Sequence, residues 1–174
     1  MKYILAMMIG FFSLNASAAL YLDPYLSYAL SGGYERGTTD EDASGIFLGL
    51  RGGYSMLGLA FGLEYMMSDG EIDTNPTADT SHASMGVFVA YELPILLRFY
   101  GTYFFADAMD AETTSTTEFE GTGLKLGVGY TGLPFVSINF EYYTATYDEN
   151  QNGSINPDAD YNTMMLGVSM PLSL

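Results

Sequence analysis

Six charged residues of this 174-residue chain stand where charge is costly. Arg51, Glu64, Glu92, Arg98, Lys125 and Glu141 interrupt segments in which large apolar residues otherwise alternate with Gly, Ala and other small residues. Glu92 and Arg98 flank a turn near Pro94, and Lys125 and Glu141 are symmetric about residue 133. Antiparallel strands joined at those turns would hold such pairs about 5 Å apart at Cβ, within ion-pair reach. The chemistry this predicts is mutual neutralisation in a closed interior, because a buried charge stripped of its partner costs roughly 3–5 kcal/mol. Gating of a small conduit is the other use such a network allows.

A second set of polar residues lies at 147–160, where Asp148, Asn150, Asn152, Asp158 and Asp160 surround Gly153. Oxygen side chains at alternate positions can wrap a hard cation, Ca2+ or Mg2+, and the glycine permits a sharp turn. Ala159 stands where such a loop normally carries an acid. The same residue types build any turn-rich solvated loop. Asp69, Glu71, Asp73 and Asp79 form a sparser set of the same kind. No cofactor is otherwise called for. His82 is the only histidine, and Ser84 follows two residues later. Alternation puts Ser84 on the same face as Glu92, but eight residues of strand separate them by roughly 27 Å. No base–nucleophile–acid set forms, and His82 is expected to be exposed at the end of a loop.

The elements that must position these groups follow from a period of two. In the last fourteen residues Met164, Leu166, Val168, Met170, Leu172 and Leu174 fall on one face. Eight such segments occur, at about 22–32, 45–54, 57–67, 83–93, 96–106, 121–130, 135–146 and 161–174. The fifth is the least regular, since Tyr100 and Phe104 make both its faces aromatic. Acidic stretches at about 33–44, 68–82, 107–118 and 147–160 read as long loops, and the other three connections are tight turns. None of the apolar-face positions is charged. The opposite face collects the six charges with Gly49, Gly58, Gly62, Gly86, Gly123, Gly127, Gly129, Gly167, Ala60 and Ala90. A soluble barrel would reverse that assignment, with charge outside. Charge together with glycine predicts a crowded lumen, and the apolar face is expected to meet lipid.

Export is expected from the N-terminus. Lys2 precedes an apolar run at 4–14, broken only by Gly10 and Ser13, and Ala16-Ser17-Ala18 has the small-x-small form of a cleavage site. The run is too short to cross a bilayer as a helix. Residues 1–18 are therefore expected to be removed at Ala18/Ala19, leaving 19–174 as one domain. The chain has no Cys, so neither disulfides nor a lipoprotein anchor are expected. It has 21 acids against five bases, which excludes nucleic acid as a partner because phosphate contact requires Lys and Arg. With 15 Tyr, 11 Phe and no Trp, it is rich in residues that suit strands. Tyr54, Tyr91 and Tyr130 lie toward the short-turn ends of their strands, and Tyr65, Tyr103, Phe105 and Tyr142 lie toward the long-loop ends. Two such bands are how a membrane barrel fixes its depth.

The chain resembles the small eight-stranded outer-membrane barrels typified by the OmpA transmembrane domain and OmpX. The resemblance covers the whole of 19–174 and rests on architecture and on the Arg/Lys–Glu lumen pattern, not on a signature peptide. It implies an all-β, eight-stranded antiparallel up-and-down transmembrane barrel in the outer membrane of a Gram-negative bacterium. It also implies contact with outer-membrane lipid and lipopolysaccharide, and insertion by the outer-membrane assembly machinery. His82-Ala83-Ser84 is similar to the His-x-Ser of lipid A deacylase barrels, but the flanking residues do not match that family. The expected role is non-enzymatic: envelope structure, or surface contact with a ligand or a host or prey receptor through four acidic loops. A narrow porin-like channel is the alternative, and a lipid-modifying enzyme a more distant one.

Overall fold

The alternating segments become eight antiparallel strands: β1 (Ala19–Arg36), β2 (Thr39–Met56), β3 (Leu59–Ile72), β4 (Ala78–Leu93), β5 (Leu97–Glu112), β6 (Thr116–Tyr130), β7 (Ser137–Asn150) and β8 (Gly153–Ser169). Each pairs with the next, and β1 pairs with both β2 and β8, so the sheet closes on itself. β8 stops before Pro171, which has no N–H to offer the ladder. The chain then resumes the edge at Leu172–Ser173, beside Leu22 and Tyr21 of β1. This computed structural model describes the backbone of residues 18–36, 39–72, 78–112, 116–150 and 153–174, and side chains except those at 34–43, 71–79, 110–119 and 149–159. The signal segment therefore lies outside the described residues but for Ala18.

The strands are longer than the apolar alternation predicts. Stretches expected as long loops continue as two-stranded ribbons: Arg36 pairs with Thr39, Ile72 with Ala78, Glu112 with Thr116 and Asn150 with Gly153. A ladder needs only backbone donors and acceptors. Period-two hydrophobicity reports the apolar surroundings instead, so it ends where those surroundings end. At the other end of the barrel the connections are tight. Leu57, Leu96 and Phe135 occupy them with φ of 55°, 63° and 63°, beside Gly58 at 81°. β3 and β7 begin at Leu59 and Ser137, so Leu57 and Val136 belong to turns rather than strands.

The two faces separate as the sequence predicts. Leu26, Leu48, Phe61, Val87, Phe99, Leu126, Phe140 and Leu166, one from each strand, are all exposed on the outside of the barrel. The lumen is filled in layers. Tyr21, Ala60, Phe88, Ala90 and Tyr100 pack toward the short-turn end. Phe47, Met66, Phe104, Tyr143, Tyr147, Tyr161 and Met165 pack toward the ribbons. An eight-stranded barrel is just wide enough for side chains to fill it. The irregular fifth strand is explained by this filling, because Tyr100 and Phe104 are the inward set and Phe99, Tyr103 and Phe105 the outward set. A bulge at Phe105 and Ala106 then breaks the alternation. Met85 pairs with Ala106 but Gly86 with Phe104, so Asp107 turns inward.

Candidate functional site

Arg51 lies at the centre of the lumen. Its Nη1 donates to Asp23 Oδ2 at 2.8 Å, its Nη2 to Glu141 Oε1 at 2.8 Å, and its Nε to Glu64 Oε2 at 3.2 Å. The guanidinium is held between two rings, 4.4 Å from the Tyr25 centroid and 4.2 Å from that of Tyr100. Those rings lie flat because the residue facing each across the ladder is a glycine, Gly49 for Tyr25 and Gly127 for Tyr100. A Cβ at either glycine would run into the ring. The stack Gly49–Tyr25–Arg51–Tyr100–Gly127 gives the lumen glycines a physical role: they make room for aromatic rings that clamp a cation.

The remaining charges join this centre. Lys125 Nζ donates to Glu64 and, at 2.7 Å, to the Tyr25 hydroxyl, and stands 3.8 Å from Glu141. Glu64 also accepts from Tyr25 at 2.6 Å and from Thr102. Glu141 accepts from Ser27 at 2.5 Å and Tyr100 at 2.7 Å. Arg98 reaches Asp23 at 3.1 Å, the Tyr21 hydroxyl at 2.7 Å and Ser169 at 2.9 Å. Three cations thus meet three carboxylates, all buried, and the layer is neutral.

Two expectations about this network need correction. Glu92 does stand opposite Arg98 in the register, but it is exposed at the barrel mouth. Among the described residues no ion pair includes Glu92; Arg98 turns inward to Asp23 instead. Alternation assigns a face, not a depth, and at the mouth water solvates the carboxylate. Lys125 and Glu141 are not opposite each other either. Lys125 faces Tyr143 and Glu141 faces Gly127, so they meet only diagonally, and Lys125 is closer to Glu64. Asp23, which bridges Arg51 and Arg98, was not among the predicted residues. Its inward parity with Tyr21, Tyr25 and Ser27 was the available signal.

Above this layer lies a second cluster that sequence reasoning missed. Asp107 is 3% exposed and accepts from the hydroxyls of Tyr143 and, at 3.0 Å, Tyr147. Tyr147 also meets His82 Nδ1 at 3.0 Å. His82 is buried against Tyr161 and Phe47, not exposed at a loop end, because β4 begins at Ala78 and carries it inward. Ser84 faces Asp107 across the ladder rather than approaching Glu92. No cation among the described residues pairs with Asp107. Tyr147 stands between His82 and Asp107, so the Ser, His and Asp do not form a serine-nucleophile relay.

Of the cation-site candidates, Asp148 and Asp160 are exposed, and Asp160 accepts from Thr146 at 2.8 Å. Asn152 lies outside the described residues, as do the side chains of Asn150 and Asp158. The backbone on either side of residues 151 and 152 is a ribbon with Glu149 opposite Ser154. Among the described residues no group of three His, Cys, Asp or Glu could hold a metal.

Closed topology, an apolar exterior and a charge-paired interior can be set beside solved structures. Neisserial surface protein A matches 87% of this chain and 96% of its own, at 14% identity and a TM-score of 0.62. Ail, the attachment invasion locus protein of Yersinia pestis, matches 87% and 98%, at 14% identity and 0.63. The N-terminal β-barrel domain of Pseudomonas aeruginosa OprF matches 90% and 100%, at 12% identity and 0.51. The chain has the fold of the small eight-stranded outer-membrane β-barrels. No family model and no curated protein sequence matches it. The likeness is one of architecture: alternation and closure are shared while the residues themselves are free to change.

Proposed function

We propose that this barrel is exported, inserted into the outer membrane and acts there without catalysis, as a closed envelope element that presents four acidic ribbons at the cell surface. One observation carries the reading: a continuous apolar exterior surrounds a lumen whose central layer is sealed and neutral. Lipid satisfies the exterior, whereas an aqueous compartment would leave an apolar patch far beyond what soluble monomers expose. Arg51, Lys125 and their carboxylates leave no solvated charge at mid-depth for an ion to follow, which weighs against the channel reading.

The ribbons set the kind of surface contact. Every acid outside the lumen except Glu92 falls in them, against a single base, Arg36. One solved structure of Ail holds the heparin analogue sucrose octasulfate. Acidic ribbons would repel such a polyanion, so this barrel is assigned basic or cation-bridged partners instead, lipopolysaccharide phosphates among them. The test is fractionation of the mature protein with the outer membrane, faster gel migration before boiling than after, and negligible conductance in planar bilayers. Recovery from the soluble periplasm would overturn the membrane reading, and steady ion conductance would return the channel.

A further inference from the structure

The short-turn end of the barrel is built unlike a surface meant for water. Its turns expose Leu57 at 73%, Ile95 at 66%, Leu96 at 49%, Leu133 at 43% and Phe135 at 79%. None of the three turns contains a charge, and Glu92, the one charged side chain at this end outside the ion-paired layer among the described residues, lines the polar mouth of the barrel with Tyr21, Ser55 and Arg98 rather than the outer rim. Leu57, Leu96 and Phe135 hold left-handed backbone conformations. Those conformations are easy for Gly and costly for residues with a Cβ. A turn facing water would favour Gly or Asn at such positions. In all three turns a large apolar side chain is kept despite the backbone strain.

The exterior belt indicates what covers them. On β1 outward apolar residues run from Leu20 to Leu30, which at about 3.4 Å per residue and a tilt near 40° is roughly 26 Å of height. On the β6–β7 hairpin they run only from Leu124 to Tyr130 and from Ile138 to Tyr142, roughly 16 Å at most. Thr122, Thr144 and Thr146 lie immediately above. An outer-membrane barrel presents an apolar band about 25 Å tall. The β4–β5 hairpin is as short, from Met85 to Tyr91 and from Phe99 to Phe105, and the turns below these two hairpins carry Ile95, Leu96, Leu133 and Phe135. A span that short is otherwise met by local thinning of the bilayer, at a cost that rises with each ångström of mismatch, whereas uncharged apolar turns can make up the height by entering the hydrocarbon themselves.

We infer that the turns complete the belt: Leu57, Ile95, Leu96, Leu133 and Phe135 sit in the acyl region of the periplasmic leaflet rather than in periplasmic water. This rests on the membrane reading above and deepens it by fixing how far the barrel is immersed. The apolar rim is continuous with the lipid-facing strands through Leu59, Phe99 and Ile138, so one solvent serves both.

The chain has no cysteine, so single sites can be labelled in the full mature protein. Leu57→Cys, Ile95→Cys and Phe135→Cys would each carry a nitroxide in phospholipid vesicles, with Leu126→Cys as a mid-belt control and Asp148→Cys as a ribbon control. A gel shift on heating certifies that each variant is folded, and three separate turns leave two readings if one variant fails. The expected result is an oxygen-to-nickel-chelate collision ratio at the turns close to that at Leu126 and several-fold above that at Asp148. Turn ratios equal to that at Asp148, with Leu126 still lipid-exposed, would overturn the inference and leave the membrane reading standing. Water access at Leu126 would overturn both. Shielding of the turn labels from both reagents would mean that a second copy covers the rim, and would also overturn it.

Discussion

Glu64 and Asp107 are both carboxylates shut away from water in the same lumen, yet their surroundings differ. Glu64 is met by Arg51, Lys125 and two hydroxyls, and belongs to a layer in which charges cancel. Asp107 is met by two tyrosine hydroxyls and, through Tyr147, by His82. The mid-depth layer is an electrostatic structure, whereas the upper layer is a hydrogen-bonded one that can be satisfied without charge. The difference teaches where the barrel is intolerant of substitution. In a low-dielectric interior a broken charge pair leaves an ion with nowhere to go, whereas a hydroxyl-bonded carboxyl can be replaced by another acceptor.

The largest predicted effect follows from removing Arg51. Arg51→Met strands three carboxylates with only Arg98 and Lys125 to answer them, and unfolding in urea from detergent or vesicles should show a loss of about 3–5 kcal/mol. A loss below about 1 kcal/mol would mean that mid-depth water already solvates these groups, and would break the contrast between the layers.

A double-mutant cycle sharpens it. Because Lys125 donates to Glu64 but stands 3.8 Å from Glu141, the Lys125→Ala/Glu64→Ala cycle should show coupling within the roughly 0.5–3 kcal/mol of contacting residues, and the Lys125→Ala/Glu141→Ala cycle clearly less. Equal couplings would mean that the charge is shared over the layer rather than held in pairs.

Glycine substitutions compare the layers by packing. Gly127→Ala pushes a methyl into the Tyr100 ring, which cannot yield while Arg51 lies on its other face. Overpacking of this kind costs about 1–3 kcal/mol. Gly123→Ala instead meets Asp107 Oδ2 at 2.8 Å and the Tyr143 ring edge at 3.0 Å. A carboxylate can swing, so Gly123→Ala should cost visibly less in the same unfolding experiment. Asp107→Asn should cost less again, within about 1 kcal/mol of the native protein, since an amide oxygen still accepts one tyrosine hydroxyl. A cost comparable to Arg51→Met would show that Asp107 is ionised and paired with a cation.

How far these layers were legible in the sequence follows from the physics of each. The outward strip was legible because lipid demands an unbroken period of two. Arg51, Glu64, Arg98, Lys125 and Glu141 were legible as charges on the opposite parity. The Lys125–Glu141 register was misjudged because the β6–β7 turn is centred one residue later than residue 133, which displaces the partner by two. Asp107 was hidden by the bulge: strict alternation from Tyr103 and Phe105 would turn it outward. His82 was hidden because it lies where outward hydrophobicity has faded although the ladder continues. Contacts across the lumen, such as Tyr25 with Glu64, join strands that are not neighbours and leave no mark in local sequence.

The contrast between paired and unpaired acid extends beyond the lumen. Below Asp107 every buried carboxylate has a cation, and above it the ribbons carry acids with Arg36 as their only base. Like charges confined to one rim repel one another and destabilise the closed state, so divalent cations should raise the melting temperature by a few degrees. Asp148 is exposed on the same outer face as Thr146 and Asp160, and Asp158 lies on the facing strand. Asp148→Asn with Asp158→Asn should therefore blunt the gain. The control is sodium chloride at matched ionic strength. Screening alone lifts the melting temperature equally with either salt, whereas ligation by carboxylate oxygens favours calcium or magnesium and shows heat in calorimetry. Equal shifts and no heat would leave the ribbons as solvated acid and, among the described residues, the charge pairs around Arg51 as the one place where acid is bound by a fixed cation.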